Sequence, residues 1–577
     1  MVKYFFYCLS FVAAILNISL IPSVRAADKP VIVNYDSLHH PEVGRKGMVV
    51  SQNDIASRVG ADILGKGGNA VDAAVAVGFA LSATLPRAGN LGGGGFMLVH
   101  LADQDKTIAL DFREMAPAKA FRDMYLDSKG NVDEDKARFS LMSSGVPGTV
   151  AGMAHALKNY GTLSWGEVLA PAIKLAEEGF VVSYDMAQKL KEHEHLRENS
   201  ATCKAYFKDN CQPYTDGEVI RQPDLAWTLK TLKKQGPAAF YSGAIADKIV
   251  AEMKRGGGLI TKADLKNYQI VEREPIMGNF RGFEVASMPP PSSGGLHVIQ
   301  MLNMLDQFPL KDYGSNSAQW VHHLSAAMKR AYADRSKYLG DPDHVSVPVK
   351  GLTSLDYAKE LAQGIQDCCV VASADIGPGN APRYESPDTT HYSVMDQWGN
   401  AVVNTYTLNF SYGSGIVIPG TGMLMNNQMD DFSAKPGTPN GYGLLGAEAN
   451  AIAARKRPLS SMTPTIVFKD GKPYVLTGSP GGSKIINAVL QILLNVMVHD
   501  MNIAEATSTP RIHHQWLPDV LNLEPGFSPD TIKLLKEMGY KINIDQTLGS
   551  TQSIMWKDGI FYGAADPRRP GAGAVAN

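Results

Sequence analysis

The segment TTHYSVMDQWGNAVVNTYTLN, residues 389–409, puts paired hydroxyls where they could react. It reads as two strands, Thr389 to Met395 and Ala401 to Leu408, joined at Gln397-Trp398-Gly399. With a three-residue turn Thr389 stands opposite Thr407; with a two-residue turn Thr390 does so instead. Cross-strand Cβ atoms lie about 4.5–5.5 Å apart, close enough for two hydroxyls to interact. Threonine also favours strands for packing reasons alone, so on composition an ordinary hairpin is the favoured reading.

Other chemistries find little support. Gly60 to Lys66, GADILGK, copies most of a phosphate-binding loop, but Gly67 replaces the Ser/Thr that would hold magnesium, and the residues before it read as helix. There is no G-x-S-x-G elbow and no H-E-x-x-H. The His pairs at 39–40, 322–323 and 513–514 are sequence neighbours whose side chains diverge, which argues against a metal site. Cys203 and Cys211 enclose a short polar loop suited to a local disulfide, whereas the adjacent Cys368 and Cys369 could bridge only through a strained ring.

Ten motifs decide between these readings. ESPDTTHYS, NTYTLN, NNQMDDF, RPLSSMTPTIV and GSPGGS, with GGNAVDAAVA, AGNLGGGGFM, DFREMAP, GVPGTVAG and SMPPPSSGG earlier in the chain, resemble those of the gamma-glutamyltransferase (gamma-glutamyltranspeptidase) family of the bacterial periplasmic type. The resemblance spans essentially the whole mature chain. It implies an N-terminal-nucleophile hydrolase of the α/β (α+β) class, a four-layer αββα sandwich made as one precursor. That precursor cuts itself between Asp388 and Thr389 into a large subunit, 27–388, and a small one, 389–577, which remain together as a heterodimer.

The same resemblance assigns roles. Thr389 becomes the nucleophile and its freed α-amine, with a reference pKa of about 7.7–8.0, the general base for its own hydroxyl. Thr407 is expected to hydrogen-bond that hydroxyl. A γ-glutamyl head carries an α-carboxylate, suited to Arg113, Ser460 and Ser461, and an α-ammonium, suited to Asp431 with Asn409 and Gln428. Gly481 and Gly482 suit an oxyanion hole through their backbone N–H groups. Arg113 could instead pair with Asp111 or Glu114, and Asp430 rather than Asp431 could face the ligand. KPGTPNGYGLLG, residues 435–446, resembles a lid with Tyr442 closing it. The implied substrates are glutathione and other γ-glutamyl compounds, with water, amino acids or dipeptides as acceptors and no cofactor or metal. A glutaryl acylase of the same fold and a non-enzymatic binding protein that never matures are the rival readings. Pro387-Asp388 departs from the family pattern and stiffens the scissile segment; the Cys203–Cys211 insertion is a second departure, expected far from the pocket.

Composition and local pattern must deliver the elements that hold these residues. The chain has 577 residues, 55 Lys+Arg against 57 Asp+Glu, and 44% hydrophobic residues: globular values with no basic field for nucleic acid. Lys3, an apolar run from Tyr4 to Ile21 and Val24-Arg25-Ala26 read as a signal peptide, residues 1–26, cut after Ala26. The run is long enough to serve as an uncleaved anchor instead. The favoured reading is a soluble periplasmic product with no stable membrane span. Asp54 to Gly65 reads as a helix, and Asn69 to Ala83 as a buried Ala/Val helix capped by Asn69. Long amphipathic helices are expected over Gly148 to Gly256, and from about Ala381 strands and hairpins run to the C-terminus.

Overall fold

The computed structural model describes residues 37–378, 390–435, 437–438, 440–441, 443–444, 448–545 and 547–577. The expected leader, the scissile pair Asp388-Thr389 and Tyr442 lie outside the described residues. Met1–His39 and His40–Asn577 are separate units, and the fold is that of the second.

Two seven-stranded sheets form its centre, and in both every pairing of neighbours is antiparallel. The sheet carrying the hairpin runs Gly573–Ala576, Gly47–Ser51, Thr390–Asp396, Ala401–Thr407, Gly94–Leu101, Lys106–Phe112, Val271–Arg273. The other runs Glu42–Gly44, Ile560–Ala565, Gln552–Lys557, Lys472–Thr477, Thr465–Lys469, Phe283–Ser287, Ile276–Phe280. Both halves of the chain contribute to each sheet, so the expected large and small subunits are not separate folding domains.

Side-chain alternation builds the layers. In the hairpin sheet Val49, Met97, Val99, Val394 and Val402 pack with the Asp54–Gly65 and Ala70–Thr84 helices. Their neighbours Met48, Val50, Phe96, Leu98, Met395 and Val403 face the second sheet's Val285, Val467, Val475 and Ile554. Beyond that sheet lie the Gly294–Leu305, Ala318–Tyr338 and Lys484–Met497 helices, whose apolar residues join the same core. This order of helices, two sheets and helices is the expected αββα sandwich. The two strands of the hairpin are buried along their whole length, and their polar side chains are hydrogen-bonded to one another, as His391 is to Thr405 and Ser393.

The Asp54–Gly65 helix appears as expected, and GADILGK covers its C-terminal end, Gly60 to Gly65, with the capping Lys66. The next helix covers Ala70–Thr84, wholly buried, with a capping box between Asn69 and Asp72. The expected long helices over 148–256 are instead shorter pieces, including Thr149–Tyr160, Trp165–Glu178, Tyr184–Glu192, Ser200–Tyr206, Pro223–Gln235 and Ala244–Arg255. Ser164, Ser183 and Asn199 each accept first-turn N–H groups and so restart the helix. The all-strand reading of the C-terminal part is also corrected. Lys484–Met497, Ile503–Ser508 and Pro529–Glu537 are helices, the first an apolar run that buries against the second sheet. Cys203 is disulfide-bonded to Cys211, and Cys368 to its neighbour Cys369. Among the described residues no helix is long and apolar enough to cross a membrane and no His/Cys/Asp/Glu group could hold a metal ion.

Candidate active site

The hairpin register is that of the three-residue turn. Thr390 pairs with Tyr406 and Met395 with Ala401, and Asp396 N–H donates to Asn400 O at 3.1 Å, closing a loop of Gln397, Trp398 and Gly399. Gly399, at φ 92°, supplies the left-handed residue such a loop needs. The alternative register, with Thr390 opposite Thr407, is thereby excluded.

Thr407 ends its strand, and its Oγ1 accepts the Asn409 N–H at 2.8 Å. Asn409 itself sits at φ 80°, a conformation asparagine tolerates better than most residues. The strand end is reached because Gly93 has no side chain: a Cβ there would lie 1.9 Å from Thr407 O. Behind the hairpin, the His391 ring bonds Thr405 Oγ1 at 2.8 Å and Ser393 Oγ at 3.0 Å, and it touches Gly478, the first residue of the GSPGG loop. Burial lowers the His391 pKa to about 3, so the ring is neutral.

A continuous chain of contacts leads from Thr407 to the other expected residues. Asn409 Nδ2 donates to Asn427 O at 3.0 Å, and the neighbouring Gln428 donates through Nε2 to Asp431 Oδ2. Arg113 Nη2 also binds Asp431 Oδ2, and donates to Leu459 O at 3.0 Å, while Nε donates to Pro458 O at 3.1 Å. Arg113 therefore takes neither sequence neighbour as its main partner: its Nη1 is 3.7 Å from Glu114, and Asp111 accepts its backbone N–H. Asp430 turns away to Arg138, 3.0 Å from its Nε, leaving Asp431 as the acid on the arginine. Burial pushes the Asp431 carboxyl well above the usual carboxylate range, against the pull of Arg113, and pushes Glu114 up to about 7. Asn409 Oδ1, Gln428 Oε1 and Asp431 Oδ1 are buried acceptors with no partner among the described residues.

Ser460 and Ser461 follow directly on the carbonyls that hold Arg113. Ser460 Oγ accepts Met462 N–H at 3.1 Å, and Ser461 Oγ accepts from Arg335 Nη2. SMPPPSSGG packs against them: Ser293 N–H and Oγ both donate to Ser460 O, at 2.7 and 2.8 Å. Gly481 and Gly482, at φ 131° and 64°, lie just before the 14-residue Lys484–Met497 helix. Their carbonyls accept its first N–H groups, so their own N–H groups stand at a positive helix end.

The expected binding residues thus come together. Lys435, Thr438, Asn440 and Leu444, the described residues of the 435–446 segment that border the space, line a cavity of about 40 Å³ with Asp430 and Asp431. Sequence reasoning missed Arg335, in the last turn of the Ala318–Tyr338 helix, and Ser293 beside it. SMPPPSSGG pointed to the latter, but no local pattern links a helical arginine to a serine 126 residues later.

A sequence model of the family described as Gamma-glutamyltranspeptidase matches residues 56–576. The "Glutathione hydrolase proenzyme" of Escherichia coli (strain K12) is 53% identical over 562 residues, 96% of this chain and 97% of that protein. Cephalosporin acylase from Bacillus halodurans superposes with a TM-score of 0.83 at 28% identity, covering 95% of this chain and 99% of that one. Helicobacter pylori gamma-glutamyltranspeptidase matches at 46% identity with a TM-score of 0.56, covering 56% of this chain and 93% of that one. With this match over most of its length, the same sandwich and the family's motifs gathered at one end of the hairpin, the chain belongs to the gamma-glutamyltranspeptidase family.

Proposed function

We propose that the protein is a gamma-glutamyltransferase and glutathione hydrolase that matures by cutting itself. The observation that carries this reading is the charge pattern around a buried Arg113–Asp431 pair, where three acceptor oxygens, on Asn409, Gln428 and Asp431, have no partner among the described residues. An ammonium answers these acceptors, and a carboxylate beside it would meet the Arg113 guanidinium and the hydroxyls of Ser460 and Ser461. A glutaryl chain would leave the acceptors unanswered, at a cost of about 1–3 kcal/mol for each unpaired group.

Maturation needs only the chain's own atoms. The Thr389 hydroxyl attacks the Asp388 carbonyl carbon, the C–N bond breaks, and an ester forms as the Thr389 amine is released. Water then opens the ester, leaving residues 27–388 and 389–577 as the two subunits, with residues 1–26 removed on export to the periplasm. In turnover the α-amine accepts the proton of the Thr389 hydroxyl as its oxygen attacks the γ-carbonyl of glutathione. Gly481 and Gly482 N–H groups stabilise the oxyanion, and the helix end behind them adds to the field. Collapse transfers the proton to the leaving amine, expels cysteinylglycine and leaves a γ-glutamyl ester on Thr389. Water or the amine of an acceptor attacks that ester and restores the threonine. Thr407 orients the Thr389 hydroxyl, Arg113, Ser460 and Ser461 hold the α-carboxylate, and Asp431, Asn409 and Gln428 the α-ammonium. The E. coli relative's description as a proenzyme and a hydrolase of glutathione supports both halves of the proposal.

The test is the mass and N-terminal sequence of the purified protein, alongside Thr389→Ala. A small fragment starting Thr-Thr-His-Tyr, absent in the variant, is expected. An active preparation consisting of one uncut chain would sink the mechanism.

A further inference from the structure

We infer that Arg335 is a positioning residue for substrate specificity: by donating to Ser461 it fixes the serine hydroxyl as a donor to an anionic group. The inference rests on the proposed placement of the substrate α-carboxylate at Ser460 and Ser461.

A hydroxyl can donate or accept, so two serines alone do not select a carboxylate over an amide or an ammonium. Here the choice is made by their partners. Ser460 Oγ already accepts Met462 N–H at 3.1 Å, and Ser461 Oγ accepts the Arg335 guanidinium. Each oxygen is thus occupied by an N–H, and among the described residues no acceptor takes either O–H proton. Both protons are left for a ligand acceptor, which is the polarity a carboxylate requires.

Arg335 is suited to this because it cannot change role: a guanidinium only donates, and it stays charged. Its Nε donates to Ser293 Oγ at 2.9 Å, and that hydroxyl passes its own proton to Ser460 O at 2.8 Å. One planar fork thus orders the hydroxyls of Ser293 and Ser461 in a single sense and ties the SMPPPSSGG turn to the PLSSM turn. Arg335, Ser293, Ser460 and Ser461 are all fully buried, so water does not compete for these bonds and the positive charge is felt at the serine. The Tyr332 ring, 5.6 Å from the guanidinium carbon, packs along the same helix face.

The test is a double-mutant cycle on γ-glutamyl-4-nitroanilide hydrolysis using Arg335→Met, Ser461→Ala and the pair, with subunit formation followed on a denaturing gel. If Arg335 acts through Ser461, each single variant loses about tenfold in kcat/KM, mainly through KM, and the double variant loses little more than Ser461→Ala alone. Arg335→Lys, which keeps a charged donor, recovers part of the loss. Additive losses approaching a hundredfold, or an Arg335→Met enzyme with unchanged KM, overturn the inference. If Arg335→Met accumulates uncut, Arg335→Lys takes its place in the cycle. A several-fold loss that disappears in the Ser461→Ala background then supports the inference, and a loss that persists there overturns it. A Ser461→Ala enzyme with wild-type KM would instead overturn the placement of the carboxylate on which the inference stands.

Discussion

With Asp431 in its proposed place on the γ-glutamyl ammonium, replacing it with asparagine separates recognition of that group from everything else the pocket does. Asparagine is nearly isosteric and can still accept from Arg113 and Gln428, which both bind Asp431 Oδ2 in the structure. What it cannot do is offer an ionised oxygen at Oδ1, the one without a described partner, once a substrate ammonium joins Arg113 in offsetting the burial that raises this carboxyl. A hydrogen bond to a charged group contributes about 1.5–3 kcal/mol, and about 1.4 kcal/mol corresponds to tenfold. The kcat/KM of Asp431→Asn for γ-glutamyl-4-nitroanilide should therefore fall roughly 10- to 150-fold. Glutaryl-4-nitroanilide has the carboxylate but no ammonium, so its rate should change far less, and the ratio of the two donors reports the effect free of the amount of active enzyme. Loss of a buried ion-pair partner costs up to about 3–5 kcal/mol of stability, reduced here because Glu114 remains 3.7 Å from Arg113. The fraction of chain cut into subunits should accordingly be measured beside the rates. Equal losses on both donors would refute the reasoning, since they would mean that Asp431 only supports Arg113.

Two further substitutions probe the surroundings. Burial raises Glu114 from 4.5 to about 7, so the stability associated with its protonated form is fully present below pH 4.5 and is lost as pH rises through 7. Glu114→Gln, which never ionises, should be close to wild type in thermal midpoint at pH 4.5 and more stable at pH 8, by up to about 3 kcal/mol; a gap that shrinks with rising pH contradicts the shift. Gly93→Ala would place a methyl carbon 1.9 Å from Thr407 O, and the backbone at the strand end must move to admit it. It should slow subunit formation and cost roughly 1–3 kcal/mol of stability, read by denaturing gel and thermal melt. Wild-type processing and stability would show that the strand end yields freely.

How much was legible in advance differs residue by residue. The Ala70–Thr84 helix was readable because Asn69 caps it and its apolar run is long and unbroken. Lys484–Met497 lies in the part expected to be strands, although its 14-residue length and the recurrence of Asn487, Gln491 and Asn495 every four residues are helical signals, and its apolar residues pack on the second sheet. The helices between Thr149 and Arg255 were seen as a class but not as separate pieces, since Ser and Asn caps resemble ordinary polar surface residues until their side chains meet the backbone.

The sequence by itself determined the family, through ten motifs in order, and with it the expectation of a threonine nucleophile at position 389 and a pocket for a zwitterion. It also narrowed the hairpin to two registers, because turn length and strand alternation are local properties. Only the tertiary structure chose between those registers and showed Asp431, rather than Asp111 or Glu114, on Arg113. It alone brought Arg335 to Ser461 across the boundary between the two expected subunits. The physical reason is that hydrogen-bond direction, burial and charge pairing depend on which surfaces meet when two sheets and their helices close on one another. Residues far apart in the chain acquire those properties together.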